Sequence, residues 1–377
     1  MRGTLRTVAA VSAVAMLAAC GSNTTASNSP SASPSAASSS SAAGGGTSTA
    51  GKFKACMVTD TGGIDDRSFN ASSWQGVQEA VQSDPSKISG TYLQSSSGSD
   101  YTPNINTFIA DKCGIIVTVG FLMGDNTQTA AKAHPSQKLA IVDYSYSPSI
   151  PNVDALVFNT VQDGFLGGYL AAGMSKTGKV ATFGGQKLPT VTIYMDGYWD
   201  GVQYYNSQHH THVAVLGWSE KTQNGLFTNS FTNQTLGQTD TQTLISEGAD
   251  VIFPVAGNVG LGAAKAVQNA DAAAGSNKVN MEWVDTDGCV KAPQYCKYFI
   301  SSVTKGIQAA VKNAIVTAAN GTFKGGNYTG TLANGGVALS PFHDFSSKVP
   351  SKLQAELAQI KTKIENGTIK PKTHSPV

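Results

Sequence analysis

A chain of 377 residues is too long for one small core and suits two lobes of ordinary domain size; 40 glycines fit a protein with many tight βα turns. The formal charge of +2 comes from Arg2 and Arg6, which lie in a segment expected to be removed. Without them 24 basic residues face 24 acidic ones, and no basic surface remains to argue for nucleic acid.

The chain opens with Met1-Arg2-Gly-Thr-Leu-Arg6, an apolar run from Thr7 to Ala19, and Cys20. A charged start, a short apolar stretch and small residues before a cleavage point describe a signal peptide, 1–19. Leu17-Ala18-Ala19-Cys20 resembles a bacterial lipobox, in which Cys20 is acylated and becomes the mature N-terminus. The plainer alternative is an ordinary signal peptide with an incidental cysteine. The apolar run is too short to span a bilayer as a stable helix, so the lipid would be the sole membrane contact. Residues 20–51 are then the lipidated Cys and a tether of Ser, Ala, Gly, Thr and Pro, with too little apolar surface to fold. Gly46 to Phe53 nearly matches a phosphate loop, but Phe53 stands where Ser or Thr is required and no strand precedes it.

Cysteine usage agrees with export. With Cys20 lipidated, four thiols remain, and Cys56–Cys113 and Cys289–Cys296 are the simplest disulfides in an oxidising compartment. No Cys-x-x-Cys pair occurs, which leaves zinc ribbons and thioredoxin chemistry unsupported.

From Phe53 strand and helix alternate. Ala55 to Val58 reads as a buried strand that stops at Asp60 and breaks into Thr61-Gly62-Gly63. Ser68 then caps a helix with apolar Trp74, Val77, Ala80 and Val81 at helical spacing. Strands follow at Gly90–Leu93, Gly114–Val119, Lys138–Val142 and Val153–Phe158, with helices at Tyr101–Asp111 and Thr127–His134 between them. After a helix over Phe165–Met174 the alternation restarts at Val180–Phe183. It continues through helix 189–207, His212–Trp218, helix 239–247, strand 250–254, helix 260–274 and strand 279–284. The later segments are a strand at 298–303, a helix at 304–319, a glycine-bearing hairpin or crossover at 329–339 and an amphipathic helix at 352–365. Such alternation argues for doubly wound parallel sheets in two lobes facing a cleft.

The strand ends carry Asp60, Asp65, Asp66, Asp143, Asp285 and Asp287. A two-carboxylate hydrolytic site is conceivable, and a secreted nucleoside hydrolase is the enzymatic reading. However, no nucleophile elbow, His-Glu-x-x-His or paired Ser and His accompanies them, and carboxylates also accept bonds from ligand hydroxyls. The chain therefore reads as a binding protein without cofactor. Gly257-Asn-Val-Gly260-Leu-Gly262 reverses the dinucleotide spacing and is a bare glycine turn. His209, His210 and His212 form a loop cluster in which adjacent histidines diverge, so no metal site is expected. Phe69 is unusual: an aromatic ring in a polar loop beside three carboxylates and Asn70, a mixture a core would not want and a flat polar ligand would.

The opening segment, Asp60 with Gly62-Gly-Ile-Asp-Asp-Arg-Ser-Phe-Asn70 and Trp74-Gln-Gly76, resembles the basic membrane protein family of ABC-transporter substrate-binding lipoproteins, purine nucleoside receptors among them. The resemblance runs from about 53 to about 365. It implies a type I periplasmic binding protein fold, whose chain crosses between lobes three times. The crossings are expected near 176–179, 284–288 and 325–340, giving lobe one as 52–178 plus 285–325 and lobe two as 179–284 plus 326–370. It implies a monomer on the outer face of the cell membrane that binds a nucleoside and serves an ABC permease. Its ligand set would be Asp60, Phe69, Asn70, Asp143, Gly257, Asp285 or Asp287, and Lys305, with a second ring from Phe231 or, failing that, Phe227. The family's glutamine near 287 is absent, Gly288-Cys289 standing there instead, which leaves the choice of aspartate open. A sugar-binding or signalling lipoprotein of the same fold is the alternative.

Overall fold

The computed structural model describes residues 51–375; the expected signal peptide, Cys20 and nearly all of the expected tether lie outside them. The first run of elements is β1 (Phe53–Val58), α1 (Phe69–Ser83), β2 (Ile88–Leu93), α2 (Tyr101–Ala110), β3 (Ile115–Val119), α3 (Gly124–Ala133), β4 (Leu139–Val142) and β5 (Val153–Phe158). Next come α4 (Val161–Met174), β6 (Lys179–Gly184), α5 (Pro189–His209), β7 (Ala214–Leu216), the short pair β8 (Trp218–Ser219) and β9 (Asn224–Gly225), α6 (Gln234–Ser246) and β10 (Val251–Val255). The chain continues with α7 (Val259–Ala274), β11 (Asn280–Asp285), α8 (Gly288–Lys291), β12 (Phe299–Lys305) and α9 (Ile307–Ala319). It closes with β13 (Gly326–Gly330), β14 (Val337–Leu339) and α10 (Ser351–Glu365).

Two six-stranded sheets form, in the orders β2-β1-β3-β4-β5-β13 and β7-β6-β10-β11-β12-β14. All pairings in them are parallel except β12 with β14. Strands β3, β4 and β10 are buried along their whole length and read as continuous apolar runs, because helices cover both faces of a parallel sheet.

Pairing corrects the expected lobe boundaries. Helix α4 packs on α5, β12 and α10, so 161–178 sits with the second sheet and the first crossing falls between β5 and α4. Strand β12 pairs with β11, which keeps 285–305 in the second lobe; α9 then packs on α1, placing the second crossing at about 306. Strand β13 adds to β5 in the first sheet, and the third crossing follows it, before β14. The physical reason is that an edge strand is assigned by its hydrogen-bonding neighbour, which local pattern does not encode.

Helices α4 and α5 meet through small residues. A Cβ on Gly168 would overlap the Tyr198 carbonyl, and one on Gly201 the Phe165 carbonyl, so only glycine permits this approach. Cys56 in β1 is bonded to Cys113 before β3, with Cα atoms 6.0 Å apart, and Cys289 to Cys296 at 4.5 Å.

Candidate functional site

The strand order in each sheet reverses beside its starting strand, between β1 and β3 and again between β6 and β10, and at such points side chains converge at the carboxyl ends of strands. The two reversal points face one cleft, lined by Asp60, Phe69, Asn70 and Asp143 from the first lobe and Phe231, Gly257, Asp285 and Lys305 from the second.

After β1, Asp60 Oδ1 accepts from the Gly62 amide at 3.0 Å and from Asn70 Nδ2 at 2.8 Å. Burial raises the Asp60 pKa above the ordinary carboxylate value, opposed by those two donors. The start of α1 departs from the expectation that Ser68 caps it. The side chain of Asp66 does so, accepting from the amides of Ser68, Asn70 and Ala71 at 3.0, 2.7 and 3.0 Å. Burial pushes Asp66 up to about 7 despite these donors. Ser68 is thereby released to cross the cleft: its hydroxyl lies 2.8 Å from Asp285 Oδ2, with the Val284 carbonyl at 3.1 Å as a second acceptor.

Asp143 after β4 and Asp285 at the end of β11 occupy corresponding places in the two sheets. Both lie in the left-handed region, φ 66° and 64°, a strained setting for a residue with a Cβ and one that collects at binding sites. Lys305, ending β12, joins them, with Nζ 2.6 Å from Asp143 Oδ2 and 3.3 Å from Asp285 Oδ1. Burial pulls the lysine pKa down, but the two carboxylates outweigh it and the net shift is upward. Burial likewise raises Asp143, opposed by Lys305. The ammonium also sits 4.8 Å from the centre of the Phe69 ring. Tyr194 donates to Asp285 Oδ1 at 3.1 Å.

Asp287 is not brought to the cleft. Its Oδ1 accepts from the Cys289 amide to cap α8, and its Oδ2 lies 2.7 Å from His343 Nε2. The left-handed turn at Asp285 sends the next residues away, so Asp285 is the lining aspartate. Phe231 lines the cleft, whereas Phe227 packs edge-on against Trp218 with centroids 5.9 Å apart. His209 stacks on Tyr205 and meets Glu356 at 3.1 Å, leaving the histidine cluster with no shared focus. Asp287, Cys289 and His343 come close enough to hold a metal ion, but Cys289 is committed to its disulfide.

Asp66, named among the strand-end carboxylates but left out of the expected ligand set, also lines the cleft, and Phe121 and Tyr194 were not anticipated. Asp66 was legible as a capping carboxylate three residues before the helix. Tyr194 is one of several aromatic residues in α5 and carries no local signal.

The family model described as "ABC transporter substrate-binding protein PnrA-like" matches residues 53–376. The chain belongs to that family. It is 31% identical over 342 residues to the ABC transporter nucleoside-binding protein BmpA of Lactococcus lactis, covering 86% of this chain and 91% of that protein. A solved ABC-transporter solute-binding protein of Aeropyrum pernix superposes with TM-score 0.76 at 24% identity, covering 85% and 94% of the two chains. The arabinose-binding protein AraP of Geobacillus stearothermophilus superposes at 0.56 and 14% identity, over 80% and 100%. The fold is the type I periplasmic binding protein fold, and the family's role is binding, not catalysis.

Proposed function

We propose that this substrate-binding protein captures a purine nucleoside and delivers it to an ABC permease, acting as a monomer tethered outside the cell membrane through an acylated Cys20. The observation that carries the ligand class is that two rings, Phe69 and Phe231, one from each lobe, line the same cleft as the buried Asp143–Lys305–Asp285 cluster. Rings bury the faces of a base, and carboxylates accept from ribose hydroxyls and ring N–H groups while the lysine donates to an oxygen. Asp60 and Asn70, already bonded to each other, present a polar edge beside them. The nucleoside-binding relative supports the same class.

The mechanism is closure without a chemical step. The lining carboxylates and Lys305 are buried, so a ligand reaches them only when the lobes part. In the closed state Ser68 meets Asp285, the Thr286 hydroxyl donates to the Arg67 carbonyl at 2.9 Å, and Lys291 donates to Gln75 at 2.6 Å, each contact joining the lobes.

Mass spectrometry of small molecules released by mild denaturation should detect a purine nucleoside. Recovery of a sugar instead would replace the ligand class, and release of free base on incubation with inosine would replace binding by hydrolysis. For the anchor, Cys20→Ala should leave the membrane fraction with binding intact; a variant that stays membrane-bound refutes it.

A further inference from the structure

A second cavity adjoins the cleft across the Asp143–Lys305 pair and is the roomier of the two, about 320 Å³ against about 60 Å³. Asp143 and Lys305 border both, while Ser145, Thr160 and Ile193 line the second alone. Thr160 is 2% exposed and its hydroxyl has no partner. A buried hydroxyl in that condition gains a bond from a polar ligand atom brought within its reach.

The charge balance selects what enters. Thr160 and Pro189 stand at the starts of α4 and α5, and each helix start carries about half a positive charge. Against these, Lys305 is already engaged by Asp143 and Asp285, a trio with one net negative charge. The two contributions offset each other, so the compartment suits an oxygen-bearing group without formal charge. A phosphate would find no unengaged side-chain cation among the lining residues and would meet Asp143 directly.

We propose that this compartment receives an uncharged, oxygen-bearing substituent on the sugar end of the ligand and rejects a phosphate there. This rests on the nucleoside reading: with the 2′ and 3′ hydroxyls on the carboxylates, the 5′ carbon is the point from which a ligand extends past Lys305. The protein thus distinguishes neutral 5′-extended nucleosides from nucleotides by an existing cavity rather than by the grip on the base.

Calorimetry with guanosine, a 5′-O-(2-hydroxyethyl) guanosine and guanosine 5′-monophosphate tests it. The hydroxyethyl compound should bind within about threefold of guanosine, and the phosphate about a hundredfold more weakly, the scale of an unpaired charge in a desolvated site. Ser145→Trp, which fills the compartment from an exposed position, should spare guanosine and weaken the extended compound about tenfold. Thr160→Val should weaken the extended compound about fivefold and leave guanosine unchanged, as expected for one lost hydrogen bond. Guanosine binding with exclusion of the hydroxyethyl compound overturns the compartment alone, as does equal tolerance of the phosphate. An extended compound indifferent to Ser145→Trp also overturns it, because the substituent then lies elsewhere. Failure of guanosine itself overturns the nucleoside reading and this inference with it.

Discussion

Strand for strand the two sheets correspond, β2-β1-β3-β4-β5 with β7-β6-β10-β11-β12, yet they furnish the cleft differently. After β1 the first lobe delivers Asp60 and Asp66, with Asn70 and Phe69 on the following helix; after β6 the second delivers the apolar Leu188 and Val191 with Thr190 between them. Where β5 ends in Phe158, β12 ends in Lys305. Only the fourth strand of each set agrees, with Asp143 and Asp285 both held left-handed. A shared backbone places the loop ends, and side chains at those ends divide the labour: carboxylates and amide mostly on one side, the cation and much of the apolar wall on the other.

That division is tested hardest at Lys305. Lys305→Met should abolish measurable ligand binding and destabilise the fold by about 3–5 kcal/mol, because two buried carboxylates lose their counter-ion. Calorimetry and urea unfolding measure both; a variant of parental stability would mean the trio is not a unit. Phe69→Ala comes next, weakening purine nucleosides by about 2–4 kcal/mol as a hot-spot aromatic does. Phe231→Ala should cost less, since Phe69 also faces the Lys305 ammonium. Equal losses would remove the asymmetry between the rings, and no loss at Phe69 would make it a core ring.

Asp285→Asn should cost roughly 1.5–3 kcal/mol per ribose bond removed and spare the free base, so guanosine and guanine titrations should diverge. Equal damage to both ligands would show that Asp285 does not hold ribose. A further effect depends on pH. Asp66 is raised to about 7 in the folded chain from an ordinary 3.8, so the folded state holds its proton more tightly than the unfolded state. Its contribution to stability is present below about 3.8 and is lost as pH rises to about 7. Asp66→Asn, which imitates the protonated form, should therefore gain on the parent between pH 5 and pH 8 in urea midpoints. A constant gap would place Asp66 as an ordinary ionised cap.

Much of this was legible along the chain. Apolar runs of strand length end in Asp60, Asp143 and Asp285, and helical spacing after the first of them declares a strand-loop-helix unit, because both periods are local properties of the backbone. Phe69 could be singled out because a ring in a carboxylate loop has no local structural use, and thiol parity pointed to the cysteine pairs. Tertiary structure alone decided which lobe received β12 and β13, since any parallel edge offers the same hydrogen bonds and only packing selects among them. It likewise chose Asp285 over Asp287, through a left-handed turn that two aspartates two positions apart do not announce. Lys305 shows the limit most plainly: as a lysine at an expected helix start it was equally a solvated side chain. Burial between two carboxylates from opposite lobes, distant in sequence, is what makes it part of the site.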